Sequence, residues 1–310
     1  MENNIQIDTQ YDDEIDLRKL FGVLWTEKLK IIAITSVFSF FSVIYALSLP
    51  NQYTATTQLV SAQSGSSDLS GALGQLGGLA KMAGVSIGGG QSNESQIAQE
   101  IMKSWSFVES FIAENNIALE VYAAEGWNEG SNELQINEEV YDTKNKQWLF
   151  ENESGVTGPP SSWELFEAFS ERLEVSEDNK SGFVYVSIKY YSPQIAKQWL
   201  DMYVAAINSY MQERQVKRVT NNINYLQAQI EQTSMAEMRE VFYKIIEEQT
   251  KNKMLAEASP EFAFVAVSPS MVPAKKSEPM RALICIFGAL LGGMLSVLLV
   301  LVMHFTLKPN

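Results

Sequence analysis

Glu247 and Glu248, with Lys251 one helical turn on, are the residues whose types and spacing first suggest acid–base chemistry. Two carboxylates act as an acid and a base only where a cleft drives their pKa values apart. Here they sit in EVFYKIIEEQTKNK, which reads as the solvated face of a helix. Cys285 is the sole cysteine, so no intrachain disulfide can form, and inside an apolar run it reads as a small apolar side chain. His304 is the sole histidine, which excludes a metal cluster built on histidines; it reads as an interfacial residue at the end of that run. The stretch LSGALGQLGGLAKMAGVSIGGG, residues 69–90, is as glycine-rich as a phosphate loop. Yet GxxxxGK[ST] is absent, and the stretch continues into QSNES with no lysine where such a loop needs one. No catalytic set, cofactor site or metal site is expected.

The formal charge of −14 over 310 residues argues against nucleic acid as a partner, because phosphates call for a basic surface. Two runs dominate the organisation: Leu29 to Leu49, charged only at Lys30, and Ala282 to Phe305, with His304 at its end. Each is long enough as a helix to cross a hydrocarbon core of about 30 Å. The first begins too far into the chain for a cleavable signal. Arg18, Lys19, Lys28 and Lys30 precede or edge the first run and nothing basic follows until Lys81, which places the N-terminus in the cytoplasm. Lys275, Lys276 and Arg281 weigh weakly the other way. The layout expected is a cytoplasmic segment 1–28, a span 29–49, an extracytoplasmic domain 51–281, a span 282–305 and a tail 306–310. So short a tail disfavours a receptor with a cytoplasmic output domain.

Within that domain, YTATTQLV (Tyr53 to Val60), FVYVSIKYY (Phe183 to Tyr191) and FAFVAV (Phe262 to Val267) read as strands, with Val184, Val186, Ile188 and Tyr190 on one face. Their closeness to both runs implies a sheet near the membrane. Glu94 to Glu114 reads as one helix with a stripe of Ile97, Ile101, Trp105, Val108 and Ile112. Trp163 to Leu173 reads as another, opened by the capping-box pattern of Ser161 and Glu164. Residues 126–160 read as loops with a short hairpin at Trp148. Ser192-Pro193 then starts a long helical region, 194–257, free of glycine and proline. It carries three stripes: Ile195, Trp199, Met202 and Ala206; Val216, Val219, Ile223, Leu226 and Ile230; and Met235, Met238, Phe242 and Ile245. A break at Gln232-Thr233-Ser234 would give a rod of about 58 Å with a second helix returning. A rod that long has too little neighbouring mass to cover every stripe, which argues for self-association.

Taken together, the chain resembles the Wzz-type polysaccharide chain-length determinants, or polysaccharide co-polymerases. The resemblance rests on EIDLRKLFGVLW (Glu14 to Trp25), on YTATTQLV after the first run and, most strongly, on the segment Ala236 to Gly293. In that segment Pro269, Pro273 and Pro279 match the proline-rich motif of a link over 268–281, and Gly288, Gly292 and Gly293 match the small residues of the second span. The resemblance implies an α+β membrane protein: two transmembrane helices flanking a periplasmic α/β base domain, with a long protruding helix. It further implies a ring-like homo-oligomer of the bacterial inner membrane, without catalytic residues. Such a ring would set the modal length of a surface polysaccharide, foremost the O-antigen of lipopolysaccharide, beside a separate polymerase working on lipid-linked glycan. Two features depart from the family: Lys275-Lys276-Ser277-Glu278 stands where many members carry more prolines, and residues 115–160 match nothing in it.

Several features keep two readings each. The prolines form either a stiff spacer or a contact with the polymerase or a neighbour. The glycines are either tolerated singly or pack on the first span, a neighbour or the polymerase, with Ser296 extending their face. The stripe Leu69, Leu73, Leu76, Ala80, Ala83 and Ile87 is a weak apolar helix, a loop, or a contact for polymerase or glycan. Rival functions are a membrane adaptor that activates a cytoplasmic tyrosine kinase in capsule or exopolysaccharide export, and a glycan-processing enzyme.

Overall fold

The computed structural model describes residues 22, 24–62, 91–151 and 155–307. The glycine-rich stretch 69–90, the lead-in from Glu14, the side chain of His304 and residues 308–310 lie outside the described residues. The chain divides into two units, residues 51–277, and residues 1–50 together with 278–310.

The alternation in YTATTQLVS makes β1 (Tyr53–Ser61), whose Ala55, Thr57 and Leu59 are buried while the intervening residues face outward. It lies at the centre of a four-stranded antiparallel sheet ordered β6-β7-β1-β8, with β6 at Leu173–Asp178, β7 at Phe183–Tyr190 and β8 at Phe264–Ser268. Val184, Val186, Ile188 and Tyr190 of β7 are fully buried on the inner face, as their alternation predicts.

β6 is a strand that sequence reading misses. The helix expected to end at Leu173 is α5 (Ser162–Ser170), and Leu173 starts a strand instead. LEVSED offers only two apolar residues among acids, so its pairing partner decides its state: Leu173 lies opposite Ile188 and Val175 opposite Val186. The start of α5 does follow its pattern. Ser161 Oγ accepts from the Glu164 amide at 3.3 Å, and the Ser161 amide donates to Glu164 Oε2 at 2.7 Å.

The single helix expected over 94–114 is two, α2 (Gln91–Met102) and α3 (Trp105–Asn115). Ser104 between them is extended, and its hydroxyl donates to Ile101 O at 2.7 Å. The break turns Phe107, Val108, Phe111 and Ile112 into the core and leaves Trp105 exposed, out of the stripe where periodicity puts it. A short α4 (Ala118–Ala123) follows, then two hairpins: β2 (Ala124–Asn128) with β3 (Glu133–Ile136), and β4 (Tyr141–Asp142) with β5 (Gln147–Trp148). The side chains of Asn128 and Asp142 close the two turns by accepting from the amides of Gly130 and Lys144.

The core lies between the sheet's inner face and the first half of α6 (Pro193–Gln232), which buries Trp199, Leu200, Tyr203 and Ile207 there. Ser192 caps α6 by accepting from the Ile195 amide at 3.5 Å, and Pro193 occupies its first turn. At 40 residues the helix is about 60 Å long. It ends at the expected break, where Thr233 turns to an extended backbone and its hydroxyl donates to Gln229 O. α7 (Ala236–Glu257) then runs back along it.

In the other unit, α1 (Lys28–Ser48) and α8 (Arg281–Leu307) pack on each other, and each is long and apolar enough to cross a membrane. Their remaining faces are almost wholly apolar and exposed, as lipid-facing surfaces are.

Candidate functional site

Among the described residues the candidate sites are surfaces set by packing. The first is the helical hairpin of α6 and α7. Gln212 fixes the register: its Nε2 donates to Ala256 O at 2.8 Å and to Ser259 O at 3.1 Å, satisfying carbonyls at the end of α7. With the turn centred on Ser234, an antiparallel pair in that register sets Leu226 level with Phe242 and Val219 level with Gln249.

The five residues picked from sequence for helix or oligomer packing fall on this seam. Val219 is 2% exposed, and Val216, Ile223, Leu226 and Ile230 are half-buried. The stripe on the return helix divides. Phe242 turns inward with Ile246, Gln249, Lys253 and Ala256, whereas Met235, Met238 and Ile245 stay exposed. Helix periodicity finds an apolar face but cannot say which of two adjacent faces meets the partner. Val219→Asp would bury a carboxylate against α7, which costs on the order of 3 kcal/mol. Trypsin should then cut rapidly after Arg239 and Lys244, while Tyr225→Asp, on the exposed side of α6, should leave the digestion rate unchanged.

Two polar residues of α6 do work that sequence reading does not assign. Gln212 is one. Asn208 is the other: fully enclosed, its Oδ1 accepts from the amides of Ala263 and Phe264, both at 2.8 Å, and its Nδ2 donates to Phe264 O at 3.0 Å. One side chain thus holds the entry of β8 against α6. The available signal was an amide at a core-facing position, directly after Ile207. Nearby, the hydroxyls of Tyr203 and Tyr190 donate to Met102 O and Glu120 O. Burial pushes both phenols well above their usual range, so they serve as neutral donors within the core.

The second surface is the link after β8. Ser268 O accepts from Thr57 Oγ1 at 2.9 Å, and buried Ser270 donates to Asp201, whose carboxylate also pairs with Lys197 at 2.5 Å. At the far end the Ser277 amide donates to Gln52 O at 2.8 Å, and Ser277 Oγ accepts from the Thr54 amide at 2.9 Å. Pro269 is exposed and Pro273 half-buried between these anchors; Pro279, also half-buried, belongs to the other unit.

The third surface is the seam between α1 and α8. A Cβ on Gly292 would stand 2.5 Å from Phe38 Cβ, and one on Gly288 would stand 2.4 Å from Ser42 Cβ. Ser42 Oγ donates to Ile284 O at 2.9 Å, and buried Ser296 meets Thr35 hydroxyl to hydroxyl at 3.2 Å. Gly288, Gly292 and Ser296 therefore form one close-approach face against α1. Gly293 has nothing within 4 Å of its Cβ position and lies off that face.

Glu247, Glu248 and Lys251 lie exposed on α7, and Cys285 is half-buried in α8. Among the described residues no three His, Cys, Asp or Glu side chains come together in a metal-binding group.

Two of the solved structures to which the chain is similar are polysaccharide co-polymerases. One is a full-length bacterial polysaccharide co-polymerase, at 14% identity over 96% of this chain and 100% of that one, with a TM-score of 0.37. The other is a fragment of WzzB, a polysaccharide co-polymerase from Salmonella Typhimurium, at 11% identity over 74% of this chain and 100% of that one, with a TM-score of 0.31. No curated protein matches the chain. The family model described as Wzz, chain length determinant protein, matches residues 13–115. That range takes in the lead-in, α1 and β1; it does not reach Ala236 to Gly293, where the sequence resemblance is strongest. Residues 13–115 are thus similar to the chain length determinant domain of the Wzz family, the family that the sequence resembles.

Proposed function

We infer that this chain is a non-enzymatic regulator of the modal length of a bacterial surface polysaccharide, the O-antigen of lipopolysaccharide, beside a separate polymerase acting on lipid-linked glycan. The observation that carries this reading is the Wzz match over residues 13–115. The two apolar helices support an inner-membrane protein with both termini cytoplasmic, spans 29–49 and 282–305, and residues 51–281 in the periplasm. The α6–α7 hairpin supports a homo-oligomer: α7 leaves Met238, Val241 and Ile245 exposed at helical spacing, an apolar row that a second copy would cover. Length control would come from a rigid surface holding the growing chain or from timing the polymerase.

The test is deletion of the gene, with the lipopolysaccharide ladder, the capsule and tyrosine phosphorylation examined in parallel. Loss of a modal cluster in lipopolysaccharide alone is the expected result. Loss of capsule export together with tyrosine phosphorylation, on an unchanged ladder, would favour a kinase adaptor.

A further inference from the structure

Met271 to Lys276 form a knuckle held at both ends. Buried Ser270 anchors one side to Asp201, and Ser277 anchors the other to Gln52 and Thr54. Between the anchors Met271 is 76% exposed and Val272 46% exposed, with the exposed ammonium groups of Lys275 and Lys276 following. Lys276 Nζ is held toward Asn51 Oδ1 at 3.4 Å. Large apolar side chains fixed in the open beside two cations are unusual in a chain of net charge −14. From Met271 to Arg281 three basic residues face one acid, Glu278, a local surplus of two positive charges.

Chain connectivity bounds one end of this knuckle. Asn51 is three residues past Ser48, the last residue of α1, so it stands within about 11 Å of that helix end. Ser277 is four residues before Arg281, the first residue of α8, so it stands within about 14 Å of that one. If α1 and α8 cross a membrane, Asn51 and Ser277, at the lysine end of the knuckle, are tethered near headgroup depth.

We propose that the knuckle docks on the anionic headgroup layer, with Met271 and Val272 entering the interface and Lys275 and Lys276 meeting lipid phosphates. The proposal rests on the membrane reading of α1 and α8. It also accounts for the basic residues that run against the positive-inside pattern: they belong to an interfacial contact and carry no topological signal. The apolar pair supplies depth and the lysines supply selectivity for negative lipid.

The test uses the full-length chain with Cys285→Ser, labelled with an environment-sensitive fluorophore at Met271→Cys. It is reconstituted in vesicles rich in phosphatidylglycerol or made of phosphatidylcholine alone, each containing headgroup-level quenching lipid. Labels at Leu298→Cys on α8 and Tyr225→Cys on α6 report lipid and water. The expected result is blue-shifted, quenched emission from position 271 in phosphatidylglycerol vesicles and little in phosphatidylcholine. Lys275→Gln with Lys276→Gln should weaken that docking by roughly 30-fold. A position 271 as watery as position 225 in both vesicles, with position 298 quenched, overturns the proposal and leaves the membrane reading standing. Equal quenching at 271 in both vesicles also overturns it, since the lysines then select nothing. An unquenched position 298 removes the membrane reading, and the proposal falls with it.

Discussion

Gly292→Leu will separate α1 from α8, and Gly293→Leu, one residue along, will not. Even a methyl group at position 292 would stand 2.5 Å from Phe38 Cβ, which lies near the backbone and cannot swing away. A leucine must push the helices apart, and overpacking of this kind costs about 3 kcal/mol. The same displacement pulls Ser296 from Thr35 and Ser42 from Ile284 O, so two interhelical hydrogen bonds go with it. Position 293 has nothing within reach and accepts the side chain into lipid. The check is a disulfide between Thr35→Cys and Ser296→Cys in a Cys285→Ser background, whose parent hydroxyls lie 3.2 Å apart. The bond should form on oxidation in the parent and with Gly293→Leu, and fail with Gly292→Leu. Cross-linking that survives Gly292→Leu would mean the glycine face points elsewhere. In cells the same variant should blur the modal polysaccharide length at normal protein level.

Asn208→Ala will strongly destabilise the 51–277 unit. It strips partners from the amides of Ala263 and Phe264 and from Phe264 O, all beside a fully buried Phe264. A buried backbone group left unpaired costs roughly 1 kcal/mol or more, so the three together cost about 3 kcal/mol. For a unit of this size the melting temperature should fall by roughly 6–12 °C. Asn208→Asp separates donor from acceptor. Its carboxylate would still accept from the two amides but would face Phe264 O with a charge. Burial and that carbonyl raise the folded pKa of the new acid above its unfolded value. Its contribution is therefore present below the unfolded pKa and is lost as pH rises through the folded one. Relative to the parent, the aspartate variant should be more stable at pH 4 than at pH 7. Thermal melts of full-length protein at both pH values check this; a loss equal at the two would mean that the acceptor alone matters.

What could be read from the sequence follows a physical division. Patterns written within a few residues stand in the structure where they were expected: the alternation of β7, the capping box at Ser161, the start at Ser192-Pro193 and the break after Gln232. Features that depend on a distant partner do not. β6 forms because β7 is there to pair with, and LEVSED by itself carries too little pattern. The turn at Ser104 is needed to bring Phe107 and Phe111 against Tyr203, nearly a hundred residues on. At the candidate sites the glycines could be picked out, but only the geometry separates Gly288 and Gly292 from Gly293. Asn208 and Gln212 went unassigned because an amide in a helix becomes a clamp only when a carbonyl from another element arrives beside it.

The central claim is length control, and the distribution of repeat numbers on surface polysaccharide tests it most directly. It should be measured from a deletion strain carrying the wild-type gene under graded expression. The account predicts a distribution without a mode in the deletion and a modal cluster at one fixed repeat number once the protein is restored. The cluster should sharpen with expression without moving. A distribution that is the same with and without the gene would contradict it.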